Sequence, residues 1–164
     1  MEKIIKGIVI GMAIGSIMVP YHDMSCTVIP IQLQILKPET ITAQNLRKLG
    51  APEKHINDIS NAIVMASKQT GVSPNLIIAL MYTESTFDHK AVSSLNYRGL
   101  MQIPYDIRYI DANVLIGARI FKDKLEIANG DVRKAICYYK GWQYSDAKGR
   151  KQADKVIKIY NRLV

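Results

Sequence analysis

The stretch from Ser73 to Glu84, Ser-Pro-Asn-Leu-Ile-Ile-Ala-Leu-Met-Tyr-Thr-Glu, constrains the fold more than any other part of the chain. Ser73 suits an N-cap and Pro74 the first helical position, so a helix should begin there. Its body, Leu76 to Met81, is apolar nearly all round. A helix without a polar face has to be buried, so the remaining elements are expected to surround it.

The flanking sequence supplies those elements, and its glycines and prolines mark helix ends. A first helix is expected from about Glu39 to Leu49, stopping at Gly50. A second starts after Pro52, carries Ile56, Ile59, Ile63 and Ala66 at helical spacing, and stops at Gly71. Residues 87–110 lose periodicity and form a long loop region, a length that is often functional inside a small domain. A fourth helix is expected from an Asp111 N-cap to Asn129-Gly130, a fifth from Asp131 to about Lys140, and a last one from about Gln152 to Leu163 after a loop over Gly141 to Gly149. The reading is all-α, with one core in a chain of 164 residues.

The chain opens differently. Lys3 and Lys6 precede an uncharged run from Gly7 to Pro20, the form of a secretory signal. His22 and Asp23 stand where a cleavage site would want small residues, so an uncleaved membrane anchor is the alternative. The expected division is 1–26 signal peptide or anchor, 27–50 spacer and first helix, and 51–164 the main helical domain. Either fate of residues 1–26 puts the domain outside the cytoplasm. In the spacer, Ile31, Leu33 and Ile35 alternate with Gln32 and Gln34, a weak strand signal.

The net charge is +8, and Glu2, Lys3, Lys6 and Asp23 cancel within residues 1–26, so the excess lies on the remainder. A basic domain attracts an anionic partner. No helix-turn-helix, RNA-recognition or zinc-finger pattern is present, which argues against nucleic acid. His22, His55 and His89 are scattered and form no metal-ligand spacing. Cys137, in an apolar run, reads as a buried thiol. Asp23-Met24-Ser25 before Cys26 is a poor context for lipid modification.

The chemistry should sit at Glu84, the first charge after eight uncharged residues from Leu76 to Thr83. Burial disfavours the charged form of a carboxyl. A carboxylic acid that stays protonated can give its proton to a leaving oxygen, the general-acid role in glycoside cleavage. A plainer reading makes Glu84 a helix-end residue facing solvent or pairing with Lys90.

The residues that follow weigh against the plain reading. Glu84-Ser85-Thr86-Phe87, Ala91-Val92-Ser93, Gly99-Leu100-Met101-Gln102 with Ile103-Pro104, Asp111 with Asn113 to Gly117, and Ala135 to Gly141 occur in order. This series resembles the catalytic domain of soluble lytic transglycosylases, over roughly residues 56 to 141. The resemblance implies a lysozyme-like helical domain with an active-site groove. It implies Glu84 as catalytic acid/base, with Ser93, Gly99, Met101, Gln102, Tyr138 and Tyr139 on the substrate side. Gly99 would let the backbone approach a flat substrate, and Met101 would offer a polarizable face to a sugar. Gln102 suits hydroxyl and N-acetyl groups. Ser93 would hydrogen-bond near the acid or serve a loop turn. Tyr138 would orient Glu84 by its phenol, or merely pack.

Two departures stand out. Tyr139 replaces an Asn, so that residue's sugar contact does not carry over. Asn96-Tyr97 occupies a place where the family often has Gly-Ala, and Asn tolerates the left-handed conformation that such a turn needs. The stretch between Pro104 and Asp111 is short, which should leave an open cleft.

The implied substrate is peptidoglycan glycan strands. Glu84 would protonate the oxygen between N-acetylmuramic acid and N-acetylglucosamine, then deprotonate the muramyl C6 hydroxyl to close a 1,6-anhydro ring. No metal or organic cofactor is called for. The alternatives are a lysozyme-like hydrolase, with Asp88 or Asp111 positioning water, and a non-catalytic wall-binding assembly protein. Wall opening during phage entry, a secretion or conjugation machine, and wall remodelling are all compatible contexts, and a short domain behind a hydrophobic segment suits local wall piercing more than bulk turnover. The corresponding locations are the periplasm or cell envelope, with or without an inner-membrane anchor, and the virion.

Overall fold

The structure, a computed structural model, describes residues 40–164. The expectations for the signal or anchor, the spacer and Cys26 lie outside the described residues. Six α-helices make up the described part: α1 (Ile41–Lys48), α2 (Ile56–Thr70), α3 (Pro74–Ser85), α4 (Ile110–Ile127), α5 (Val132–Tyr139) and α6 (Ala147–Tyr160). A short 3-10 turn, Glu53–His55, leads into α2. Among the described residues there is no strand, only isolated bridges from Arg98 to Val92 and to Ile103. No described helix is long and apolar enough to cross a membrane.

α3 is the central element. Ile77, Ile78, Ala79, Leu80 and Met81 have no exposed surface, and α1, α2 and α6 pack around the helix. A helix of 12 residues is marginal alone in water, so α3 depends on this enclosure. Burying each Leu or Ile side chain contributes about 1.5–3 kcal/mol. α2 packs along α4, and α5 bridges α4 and α6. Ala43 and Leu46 of α1 lie in the same core. The first helix therefore belongs with the domain that the sequence reading began at residue 51.

The chain turns out of three helices in one way. After α1, the amide of Gly50 donates to Arg47 O and that of Ala51 to Leu46 O. After α4, Asn129 and Gly130 donate to Glu126 O and Leu125 O. After α5, Gly141 and Trp142 donate to Tyr138 O and Cys137 O. This double closure places the residue after the C-cap in the left-handed region, where glycine or Asn is least strained. Gly50, Asn129 and Gly141 have φ of 80°, 54° and 77°.

Two starts differ from expectation. α4 begins at Ile110, with Tyr109 as N-cap, so Asp111 sits in the first turn instead of capping it. An acid there still favours the positive end of the helix dipole. α6 begins at Ala147 and contains Gly149, which the sequence reading placed in a loop. A Cβ on Gly149 would come within 2.6 Å of Trp142 Cβ. The glycine is there so that Trp142 can lie against the helix. Cys137 is a buried free thiol, and burial pushes its pKa up.

Candidate active site

Glu84 lies in the last turn of α3. Beyond Ser85 the chain turns sharply, with Thr86 and Phe87 both left-handed at φ 51° and 65°. A β-branched residue in that region is strained. Phe87 holds the turn by burying its ring completely, 5.7 Å from that of Tyr82. The result leaves Glu84 at the edge of the core, beside the segment that returns over residues 91–104.

That segment carries a tight turn, Gly99 to Gln102, anchored from two helices. Ser85 Oγ lies 2.8 Å from Leu100 O, which ties the turn to α3. From α4, Asn113 accepts from Met101 N at 2.9 Å and donates to Arg98 O at 3.0 Å. Asn113 is buried, and both ends of its amide are used. Arg98 and Ile103 exchange backbone hydrogen bonds across the base of the turn. A Cβ on Gly99 would fall 2.3 Å from Asn113 Nδ2, and one on Gly117 would fall 2.4 Å from Met101 Cβ. The Asn113/Gly117 pair on α4 is the seat into which this turn fits.

A groove of about 850 Å³ runs past Glu84. Gln102, Pro104 and Tyr105 form part of its wall, and Tyr138, Tyr139 and Trp142 another part. Glu84 Oε1 accepts a hydrogen bond from Lys140 Nζ at 2.7 Å, and the side chains of Lys140 and Glu84 are only 10 % and 16 % exposed. The pair offsets the charge that each would otherwise carry into a poorly hydrated wall. The partner is Lys140, not Lys90. Beside it, Tyr139 donates its hydroxyl to Met101 O at 2.7 Å and sets its ring edge-on to Phe121. Burial, and then the nearby Glu84 carboxylate, push the Tyr139 phenol well above its ordinary pKa, so it remains a donor.

Of the residues singled out in the sequence, Glu84, Ser93, Gln102, Tyr138 and Tyr139 come together on this groove. Met101 does not: its side chain has no exposed surface and packs over Gly117, so it offers no face to a sugar. Gly99 is approached closely by Asn113, its own scaffold. Ser93 serves the loop, its hydroxyl accepting from Tyr97 N at 3.0 Å. Asn96 takes the left-handed conformation foreseen for it, with φ 62°. Gln102 spends its amide hydrogens on Gly99 O and Ala91 O, which leaves its carbonyl oxygen to the groove. Tyr138 makes no hydrogen bond to Glu84, and its ring instead lies under Lys134 Nζ at 5.8 Å.

The acids suggested for positioning water are elsewhere. Asp88 Oδ1 accepts from Lys90 N, in a separate hollow of about 230 Å³. Asp111 is exposed at the start of α4. The second carboxyl at the groove is Asp123 of α4, which is exposed. Sequence reasoning missed Asp123, Lys140 and Trp142, since no local pattern links α4 or the end of α5 to residue 84. No cluster that could hold a metal ion occurs among the described residues.

Among curated proteins, no match to the chain is found. The family model described as "Transglycosylase SLT domain" matches residues 61–161. That span takes in Glu84, the Gly99–Gln102 turn, its Asn113/Gly117 seat and Lys140, and the chain belongs to the transglycosylase SLT domain family.

Proposed function

We propose that this chain is a peptidoglycan lytic transglycosylase in which Glu84 is the only acid/base. Membership in the family indicates peptidoglycan cleavage of the lytic transglycosylase type. In the finer reading, the bond cut is the β-1,4 link from N-acetylmuramic acid to N-acetylglucosamine, and the product carries a 1,6-anhydro ring. The observation that carries it is the position of Glu84, a carboxyl that is only 16 % exposed on the wall of a large open groove. One such group suffices when the substrate brings its own nucleophile, the muramyl C6 hydroxyl. Water-using glycosidases commonly need two carboxyls flanking the bond.

Gln102 offers a carbonyl acceptor to hydroxyl or N-acetyl hydrogens, and Tyr105 and Trp142 offer ring surface to sugar faces. The charge of +8 draws the domain toward a wall polymer bearing carboxylates. Export through residues 1–26, by cleavage or with an anchor retained, and local wall opening for a phage or an envelope-spanning machine, are parts of the same reading. A hydrolase remains the second reading, because Asp123 also lines the groove; in that case Asp123 would position the water.

Digestion of purified sacculi followed by mass spectrometry tests both. Anhydromuropeptides from the parent chain, lost in Glu84→Gln and kept in Asp123→Asn, support the proposal. Reducing ends only, with Asp123→Asn inactive, would replace it by the hydrolase. A Glu84→Gln variant that clears sacculi as fast as the parent refutes the assignment of Glu84.

A further inference from the structure

Lys140 lies 56 residues from Glu84 along the chain and reaches it from the C-terminal end of α5, which comes beside the last turn of α3. Other lysines near the groove behave differently: Lys134 and Lys148 lie over the rings of Tyr138 and Trp142. Lys140 is instead the C-cap of α5, where the helix carbonyls favour a cation, and its ammonium is turned inward to Oε1. Among the described residues it is the one hydrogen-bond partner of the Glu84 carboxyl group. The neighbouring donor, Tyr139, is committed to Met101 O. The resemblance assigns no role to Lys140, and the pairing is read from this chain's own geometry.

We propose that Lys140 is a positioning residue for Glu84, holding its carboxyl at the groove wall and supplying the countercharge that it needs between two proton transfers. The proposal rests on the transglycosylase reading above. In the first transfer the Glu84 proton goes to the glycosidic oxygen. The C1–O bond breaks, its electron pair stays with that oxygen, and C1 becomes an oxocarbenium centre. Glu84 is then an anion in a wall with little water. The contact at 2.7 Å displays the pairing that this anion requires. In the second transfer the C6 hydroxyl oxygen bonds to C1 and its proton passes to Glu84. Lys140 gives up no proton in either step.

The pairing also means that, without substrate, Oε1 is already occupied. Oε2 is left to carry the proton to and from the substrate, so Lys140 can keep its contact through both transfers.

The test uses the full chain with soluble glycan strands, and compares Lys140→Met, Lys140→Gln and Lys140→Arg with the parent. Loss of a group that acts on the reacting carboxyl should lower kcat by about tenfold or more and leave KM within about threefold. Arginine, which keeps the charge and the donors, should recover most of the loss. An unchanged kcat in the Met or Gln variant overturns the proposal, as does a raised KM at full kcat, or an Arg variant no better than Gln. If Lys140→Met does not fold, Lys140→Gln is read by the same criteria. A parent chain that releases no anhydro product defeats the reading underneath, whereas a Met variant matching a working parent defeats only this inference.

Discussion

Ser85 Oγ lies 2.8 Å from the carbonyl oxygen of Leu100, and this bond fastens the helix bearing Glu84 to the turn that walls the groove. The two residues are adjacent in space because α3 ends at Ser85 and Leu100 is fully buried beneath it. The same hydroxyl lies 3.2 Å from Met81 O.

Ser85→Ala should therefore do more than remove a polar group. It leaves Leu100 O buried without this partner, a loss of about 1–2 kcal/mol. Urea unfolding should register that cost. The variant should also cleave glycan more slowly than the parent at a temperature where both are folded, because Glu84 and Gln102 are no longer held together. A variant with parental stability and rate would show that the bond positions nothing.

Glycines of two kinds should respond differently to alanine. Gly71, with φ 74°, ends α2 and has open space where a Cβ would go, so Gly71→Ala should cost about 1–2 kcal/mol of backbone strain. In the interior of α4, Gly117→Ala would by helix propensity alone gain about 1 kcal/mol. There the added carbon meets Met101 Cβ at 2.4 Å, and overpacking of about 1–3 kcal/mol or more should outweigh the gain. Activity should be nearly unchanged for Gly71→Ala and reduced for Gly117→Ala, since Met101 carries the turn with it. Equilibrium unfolding and product release, measured side by side, check both outcomes.

The domain should lose stability on mild acidification through His89. Its ring centroid is 4.5 Å from that of His55, whose Nε2 is buried and unpaired. Burial first, then His55, Lys90 and Lys54, lower the His89 pKa below 6.5, while Asp88 opposes them. The folded state thus binds fewer protons than the unfolded chain as pH drops past 6.5. Stability from this residue is complete above that pH and is lost as pH falls toward the depressed folded value. Thermal melts between pH 7.5 and 5 should show the decline, and His89→Asn should flatten it. An unaltered slope in that variant would remove His89 as the cause.

The helical frame was legible because its punctuation is chemical. Gly50, Gly71, Asn129 and Gly141 stand where left-handed residues close helices, and the apolar run from Leu76 to Met81 could only be central. The start of α6 was not legible, since Gly149 is a packing glycine and carries the same letter as a loop glycine. At the site, Glu84 stood out as a charge ending an oily helix. Met101 and Gly99 were misread because close approach by a protein side chain and close approach by a ligand demand the same residue types. Tyr138 and Tyr139 are neighbours on one helix, and which of them faces the core depends on how α5 is rolled against Phe121. Lys140 had no signal at all, because its partner is set by tertiary packing alone.

The turn from Gly99 to Gln102 draws its rigidity from Asn113, Gly117 and Ser85, all on the side away from bulk water. Leu95, Tyr97 and Tyr105, which also line the groove, are exposed at 79 %, 40 % and 54 %, and their side chains hold none of that frame together. Selection can therefore exchange these outer residues to suit walls of different chemistry while the cutting apparatus beneath keeps its alignment. The same freedom lets a protein engineer redraw the mouth of the groove without rebuilding its floor.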